Sequence, residues 1–124
     1  MRTDNIQQQL QDGKKALDTE AYSDAFLCLL PCAEAGNAES QEIVGTLYFL
    51  GVGVDRDLQK AIDWLRKAIA QGRGLAAHNL ATLYLSCDPQ NPEEAATLYL
   101  QARELRCVVA QDEWYDQMQN KPGK

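Results

Sequence analysis

An internal repeat of about 36 residues is the feature that most constrains the fold of this chain. A shift of 36 residues places Ala25 on Ala61 and Gly36 on Gly72. A shift of 34 residues then places Ala61 on Ala95, which marks a third copy. Repeats of 20 to 50 residues are typical of proteins that stack one small structural unit on the next. The repeat therefore predicts such a stack.

Each copy has the pattern of two helices. In the second helix of the middle copy, apolar residues recur at i, i+3, i+4, i+7 and i+8, which is one helical face. These residues are Ala61, Trp64, Leu65, Ala68 and Ile69. The opposite face carries charged residues that we expect in water: Lys60, Asp63, Arg66 and Lys67. Each helix pair would leave an apolar face that only the next pair can cover, which predicts an all-α fold.

Local signals indicate where the helices begin and end. Asp57 is a good N-cap for the second helix of the middle copy, and Gly72 suits the left-handed position that ends it. Asn91 followed by Pro92 is a further start signal, since proline is favoured at the first helical position. Small side chains at Gly45 and its repeat equivalent predict close approach of helix axes.

The run from 47 to 72 resembles a Sel-one-like repeat, of the tetratricopeptide-like superfamily. It has a tyrosine, Gly-x-Gly-Val, an aspartate, Lys-Ala, a tryptophan, a second Lys-Ala and a glycine at the spacing of that family. The resemblance covers roughly 13–105 and is fullest from about Gly36 to Gly72. In the third copy, residues 87–92 replace the Gly-x-Gly loop and Leu98 replaces the tryptophan.

The repeat and the resemblance together imply an α-α superhelix. We expect a short right-handed solenoid of about three helix pairs in a single domain, residues 1–120. The expected parts are units at about 3–35, 36–71 and 72–105, a capping helix at 106–119, and a flexible tail at 121–124. Ala110, Trp114 and Met118 would form the covering face of the capping helix.

Composition excludes several classes of function. The net charge of -6 argues against a binding site for nucleic acid or for an anionic membrane, both of which favour basic proteins. No apolar run reaches the ~20 residues of a membrane helix, and the first residues do not resemble a signal peptide. We therefore expect a cytoplasmic, bacterial protein whose partner is a protein or peptide with basic and apolar residues.

The cysteines and the single histidine predict no metal site or cofactor. Cys28 and Cys32 take the repeat positions of Trp64 and Ala68, so we expect apolar core thiols. A redox or disulfide role is the alternative, and the redox state of the other two cysteines stays open. Zinc needs four nitrogen or sulfur ligands, and His78 is the only histidine.

No catalytic constellation is visible. Gly51-Val52-Gly53 lacks the preceding strand and the lysine of a phosphate loop, so we interpret it as a helix–helix turn with positive φ. No nucleophile, base and orienting group occur together in a recognisable motif. The sequence therefore predicts a protein that is not an enzyme.

The expected function is protein binding in the concave groove of the solenoid, as an adaptor or scaffold. By the family register, the first helix of each pair lines that groove. The predicted groove residues are Glu39, Glu42, Thr46, Phe49, Leu75, His78, Thr82 and Leu85. Two alternatives stay open: a small inhibitor, such as an immunity protein or anti-regulator that blocks one partner, and a structural subunit that acts as a homo-oligomer.

Overall fold

The computed structural model describes residues 2–86 and 91–105, and their side chains from residue 6 onward. Within these residues the only regular secondary structure is α-helix, and there are no strands. The helices are α1 (Arg2–Asp18), α2 (Tyr22–Glu34), α3 (Ala38–Leu50), α4 (Leu58–Ala70), α5 (Gly74–Ser86) and α6 (Pro92–Glu104). The predicted fold class, an all-α repeat of helix pairs, is confirmed.

The chain forms two compact units, Met1–Ala68 and Ile69–Lys124. The predicted capping helix at 106–119, with its covering face, lies outside the described residues. No helix in the described part of the chain is long and apolar enough to cross a bilayer.

The predicted helix ends are confirmed by their hydrogen bonds and dihedral angles. The Asp57 carboxylate accepts a hydrogen bond from the Lys60 backbone N–H at 3.1 Å, as an N-cap does. The Asn91 side chain accepts one from the Glu94 N–H at 3.2 Å, and α6 begins directly after it. Gly72, after α4, has φ 91°, the left-handed conformation that stops a helix at low cost.

Helix α1 is followed by Glu20, a left-handed residue that is not glycine. Its φ is 61°, and its N–H donates to Leu17 O at 3.0 Å. The next N–H, of Ala21, donates to Ala16 O at 2.8 Å, which completes a Schellman motif. Gly36 holds the corresponding place after α2. The sequence pattern did not reveal this feature, because glutamate is a poor signal for a left-handed residue.

The first unit buries one apolar face of each of its helices. Its fully buried side chains include Ala25, Leu29, Cys32, Val44, Ala61, Leu65 and Ala68. Helices α3 and α4 approach closely at Gly45, where an added Cβ would lie 2.8 Å from Leu65 Cγ and 3.2 Å from Ala61 O. The predicted packing role of this small residue is therefore confirmed.

The glycine loop after α3 is a turn with positive φ, as predicted. Gly51 has φ 69° and Gly53 has φ 78°. A Cβ on Gly53 would collide with the Tyr22 carbonyl oxygen and lie 3.0 Å from the Ser23 nitrogen. The loop thus packs directly on the first turn of α2, which ties the second helix pair to the first.

The second unit packs α5 against α6. Ala77 of α5 and Ala102 of α6 are fully buried together, and Ile69 and Leu75 pack against them. Small residues at this contact let the two helix axes come close. The buried face of α5 further includes Ala76, Leu80, Ala81 and Leu83.

Candidate functional site

Four predicted groove residues form one row along α3, at intervals of three, four and three residues. We name Glu39, Glu42, Thr46 and Phe49 the α3 row. Its first member, Glu39, is half-buried and forms an ion pair with Lys14 Nζ of α1 at 3.1 Å. Both side chains remain partly in water, so the pair is worth at most about 1 kcal/mol. The carboxylate is thus held in place but stays available to a partner's cation.

Glu42 differs from the expected open position, because its exposed fraction is only 5%. Its neighbours Ser40 and Gln41 are also buried, and the Gln41 side-chain amide donates to Ala33 O of α2 at 3.2 Å. Helix α3 is covered on several sides at once, since it packs against both α2 and α4. Helical periodicity alone could not show that this side of α3 is covered. Glu42 therefore offers a partner very little surface.

The C-terminal end of the α3 row is apolar. Phe49 is half-buried, and the adjacent Leu50 is 58% exposed. Arg56 Nε donates to the Phe49 carbonyl oxygen at 3.1 Å, which fixes the following loop against the end of the helix. Leu50 was not among the predicted residues. The sequence does indicate this exposure, because Leu50 stands directly before the glycine loop and no further turn of helix follows to cover it.

The other four predicted residues form the equivalent row on α5. We name Leu75, His78, Thr82 and Leu85 the α5 row, and all four are half-buried. Leu75 packs into the contact between α5 and α6, so part of its side chain stabilises the second unit.

Tyr99 of α6 brings two members of the α5 row together. Its ring centroid lies 5.5 Å from that of His78, and its hydroxyl lies 3.2 Å from Thr82 Oγ1. Thr82 Oγ1 in turn donates to His78 O at 3.0 Å. Because threonine has one proton to give, the Tyr99 hydroxyl is the donor in their contact. Tyr99 was not among the residues predicted from the sequence, although its repeat equivalent is Leu65 and a tyrosine there is an unusual polar substitution.

The two rows lie in different units of the structure. The α3 row belongs to Met1–Ala68 and the α5 row to Ile69–Lys124. A concave groove that joins them therefore stays a prediction.

The two described cysteines are free thiols in α2. Cys32 is fully buried, as predicted, and its sulfur lies 3.5 Å from Ile6 O and from Cys28 O. Burial raises the pKa of the Cys32 thiol. Cys28 is half-buried, so it is less enclosed than expected. Among the described side chains, no group of three metal-ligating residues could hold a metal ion.

Comparison with known proteins agrees with the repeat seen in the sequence and in the helices. The family model of the Sel1 repeat matches residues 38–72 and 74–106, which contain α3 to α6. A search of curated proteins gave no match.

A solved structure, that of a Sel1 repeat protein from Oxalobacter formigenes, is similar with 27% sequence identity and a TM-score of 0.62. The similarity covers 72% of this chain and 37% of that protein, so this chain spans a little over a third of its length. The matched repeats make up more than half of the chain and confirm the resemblance of residues 47–72. The chain belongs to the Sel1 repeat family.

Proposed function

We propose that this chain is a non-catalytic adaptor or scaffold, which binds a protein or peptide segment along the α3 row, and that the α5 row is a second binding surface. Sel1 repeat proteins are generally protein-interaction modules and typically lack catalytic activity. The observation that carries the proposal is the end of α3, where half-buried Phe49 lies beside exposed Leu50. An aromatic side chain with partial cover and an apolar neighbour is a typical anchor point of an interface.

The α3 row indicates the chemistry of its partner. It begins with the carboxylate of Glu39 and ends with the apolar pair Phe49 and Leu50, about three helical turns away. The chain as a whole has a net charge of -6, which favours the approach of a basic segment. We therefore propose a helix or extended peptide with a lysine or arginine at one end and an apolar side chain at the other.

Glu42 has a supporting role in this proposal and does not contact the partner. A substitution that reverses its charge would bury a cation in α3 and destabilise the fold, because the position is 5% exposed. Tests of binding should therefore change Phe49 and Glu39 and leave Glu42 intact.

The free thiols of Cys28 and Cys32 support a cytoplasmic location, since reducing compartments keep thiols unpaired. This location is part of the same proposal.

The test is affinity capture from a lysate of the source cells with three forms of the protein. The forms are wild type, Phe49→Ala, and the control Leu100→Ala, which removes an exposed leucine from α6. Truncation of an interface anchor costs about 2 kcal/mol or more, so Phe49→Ala should weaken binding by about 30-fold. Circular dichroism should show the same helicity in all three forms.

Binding measured with the captured protein should also weaken in Glu39→Lys and at higher salt, because the Glu39 carboxylate is partly exposed. The proposal is wrong if Phe49→Ala and Leu100→Ala retain the same partners with the same affinities.

A further inference from the structure

Charge is distributed unevenly along the chain. Between residues 16 and 102, all five lysines and arginines lie within 56–73. Residues 16–55, in contrast, contain seven acidic residues and no basic one. The sequence of this acidic protein therefore places a basic helix, α4, after two acidic helices, α2 and α3.

The outer face of α4 carries a basic strip, which we define as Lys60, Trp64 and Lys67. Both lysines are exposed and Trp64 is half-buried. Lys67 Nζ lies 4.7 Å from the centroid of the Trp64 ring, and Lys60 Nζ lies 5.6 Å from that of Tyr48. Such contacts orient an ammonium group without neutralising it. Within the described residues neither lysine forms an ion pair, and Asp63 beside them accepts a hydrogen bond from Gln59 at 3.1 Å.

The outer face of α2 carries an acidic strip, which we define as Asp24, Leu27 and Glu34. Both acids are exposed, and Leu27 is 68% exposed, the highest value among the large apolar side chains described. Asp24 lies three residues before Leu27 and Glu34 seven residues after it, so all three lie on one side of the helix. An apolar side chain between two acids is complementary to an apolar ring between two bases.

The two strips lie on neighbouring parts of the first unit. The ring of Tyr48 in α3 contacts both helices: its centroid is 5.3 Å from that of Phe26 in α2, and Lys60 of α4 lies over it. Helices α2 and α4 are also equivalent helices of successive repeats. The shift of 36 residues places Asp24 on Lys60, and it places Lys67 on Pro31, one turn from Glu34.

We infer that the chain forms a homodimer in which the acidic strip of each copy lies against the basic strip of the other. A twofold axis that runs parallel to α2 and α4 and between them places α2 of one copy opposite α4 of the second. Equivalent positions then face each other, so Asp24 meets Lys60 of the second copy and Glu34 comes within reach of its Lys67. Leu27 covers the region of Trp64. The same contacts occur twice, because the axis repeats them.

The dimer is weak and sensitive to salt. Two helices of 13 residues each present less than the ~800 Å² per partner of a standard interface, which is typical of a weak and transient association. The net charge of -6 on each copy opposes association at low salt over long distances, while the paired strips favour it at contact. This surface is separate from the α3 and α5 rows, so the inference does not depend on the proposed function.

The experiment is a charge-swap measured by sedimentation equilibrium of the full chain from 10 μM to about 1 mM, a range suited to a weak association. Variant K carries Lys60→Glu with Lys67→Glu, and variant D carries Asp24→Lys with Glu34→Lys. The control, Lys14→Glu with Lys15→Glu, has the same net charge as variant K but changes α1. Circular dichroism confirms that each variant keeps its helices.

Wild type and control should dimerise, and variants K and D alone should do so at least tenfold more weakly, because like charges then face each other. An equimolar mixture of K and D should restore association to about the wild-type level, because every opposed pair is again complementary. A loss caused by damage to the fold would not be restored by mixing. The inference is overturned if wild type is monomeric over this range, if K and D dimerise like wild type, or if the mixture associates no better than its components.

Discussion

Replacement of Gly53 by alanine adds one methyl group at a position where the loop after α3 lies against the backbone of α2. The added Cβ would lie 2.6 Å from the Tyr22 carbonyl carbon and 3.0 Å from the Ser23 nitrogen. Gly36 is the matched control, because it is also left-handed, with φ 101°, but has open space around its Cβ position. Both residues lie in the first unit, so both substitutions act on the same part of the fold.

The difference between the two substitutions can be estimated from these contacts. Alanine in the left-handed region costs about 1–2 kcal/mol, partly offset because alanine also restricts the unfolded chain by roughly 0.5–1 kcal/mol. Gly36→Ala should therefore lower the free energy of unfolding by about 1 kcal/mol. At Gly53 the neighbours are backbone atoms that cannot rotate away, and overpacking of this kind adds about 1–3 kcal/mol. We expect a total of about 2–4 kcal/mol for Gly53→Ala.

Urea denaturation followed by tryptophan fluorescence measures both free energies. The chain has two tryptophans, and a Trp114→Phe background leaves Trp64 as a reporter within the first unit. The packing argument fails if Gly53→Ala and Gly36→Ala have free energies of unfolding within about 0.5 kcal/mol of each other, the error of such comparisons. The loop would then have room to move away from α2 at little cost.

Three further predictions concern other parts of the fold. Glu20→Gly should raise the free energy of unfolding by roughly 0.5–1 kcal/mol in urea denaturation, because glycine adopts φ 61° without strain; an unchanged or lower value would contradict this. Tyr99→Phe and Thr82→Val should each cost about 1 kcal/mol and be non-additive in a double-mutant cycle, since they remove the same hydrogen bond; full additivity would show that the bond is absent. The raised pKa of the buried Cys32 thiol favours the neutral form, so its contribution to stability is present below the unfolded-state pKa of about 8.5 and is lost as pH rises above it. Wild type should therefore lose more stability than Cys32→Ala between pH 8 and 10, and equal losses would contradict the reasoning.

The sequence predicted the parts of the fold that depend on local chemistry. Asp57 and Asn91 begin their helices and Gly72 ends its helix as expected, because capping depends on one side chain or one dihedral angle. The repeat also predicted that Cys32 is buried, since an equivalent position in the next copy is apolar. The left-handed Glu20 after α1 could not be predicted, because its positive φ is imposed by the hydrogen bonds of the turn.

The candidate site was predicted less completely than the fold. The family register predicted the two rows of residues. It could not predict how deeply each side chain is buried, because burial depends on every helix packed around α3 and α5. Glu42 is therefore more enclosed than expected, while Leu50 is more exposed. The contact of Tyr99 with Thr82 joins α6 to α5, and no pattern within one helix reports a contact to the next.

The hydroxyl groups in the two rows have a consequence for any molecule that docks there. Thr46 donates its proton to Glu42 O at 2.9 Å, and Thr82 donates to His78 O at 3.0 Å. Both protons are thus used within the chain's own helices, so these threonines present a methyl group and an oxygen that can only accept. Glu39 likewise only accepts when it is ionised. A peptide or small inhibitor that lies along these residues must therefore supply the N–H groups itself, and a ligand rich in carbonyls and carboxylates would find few donors there.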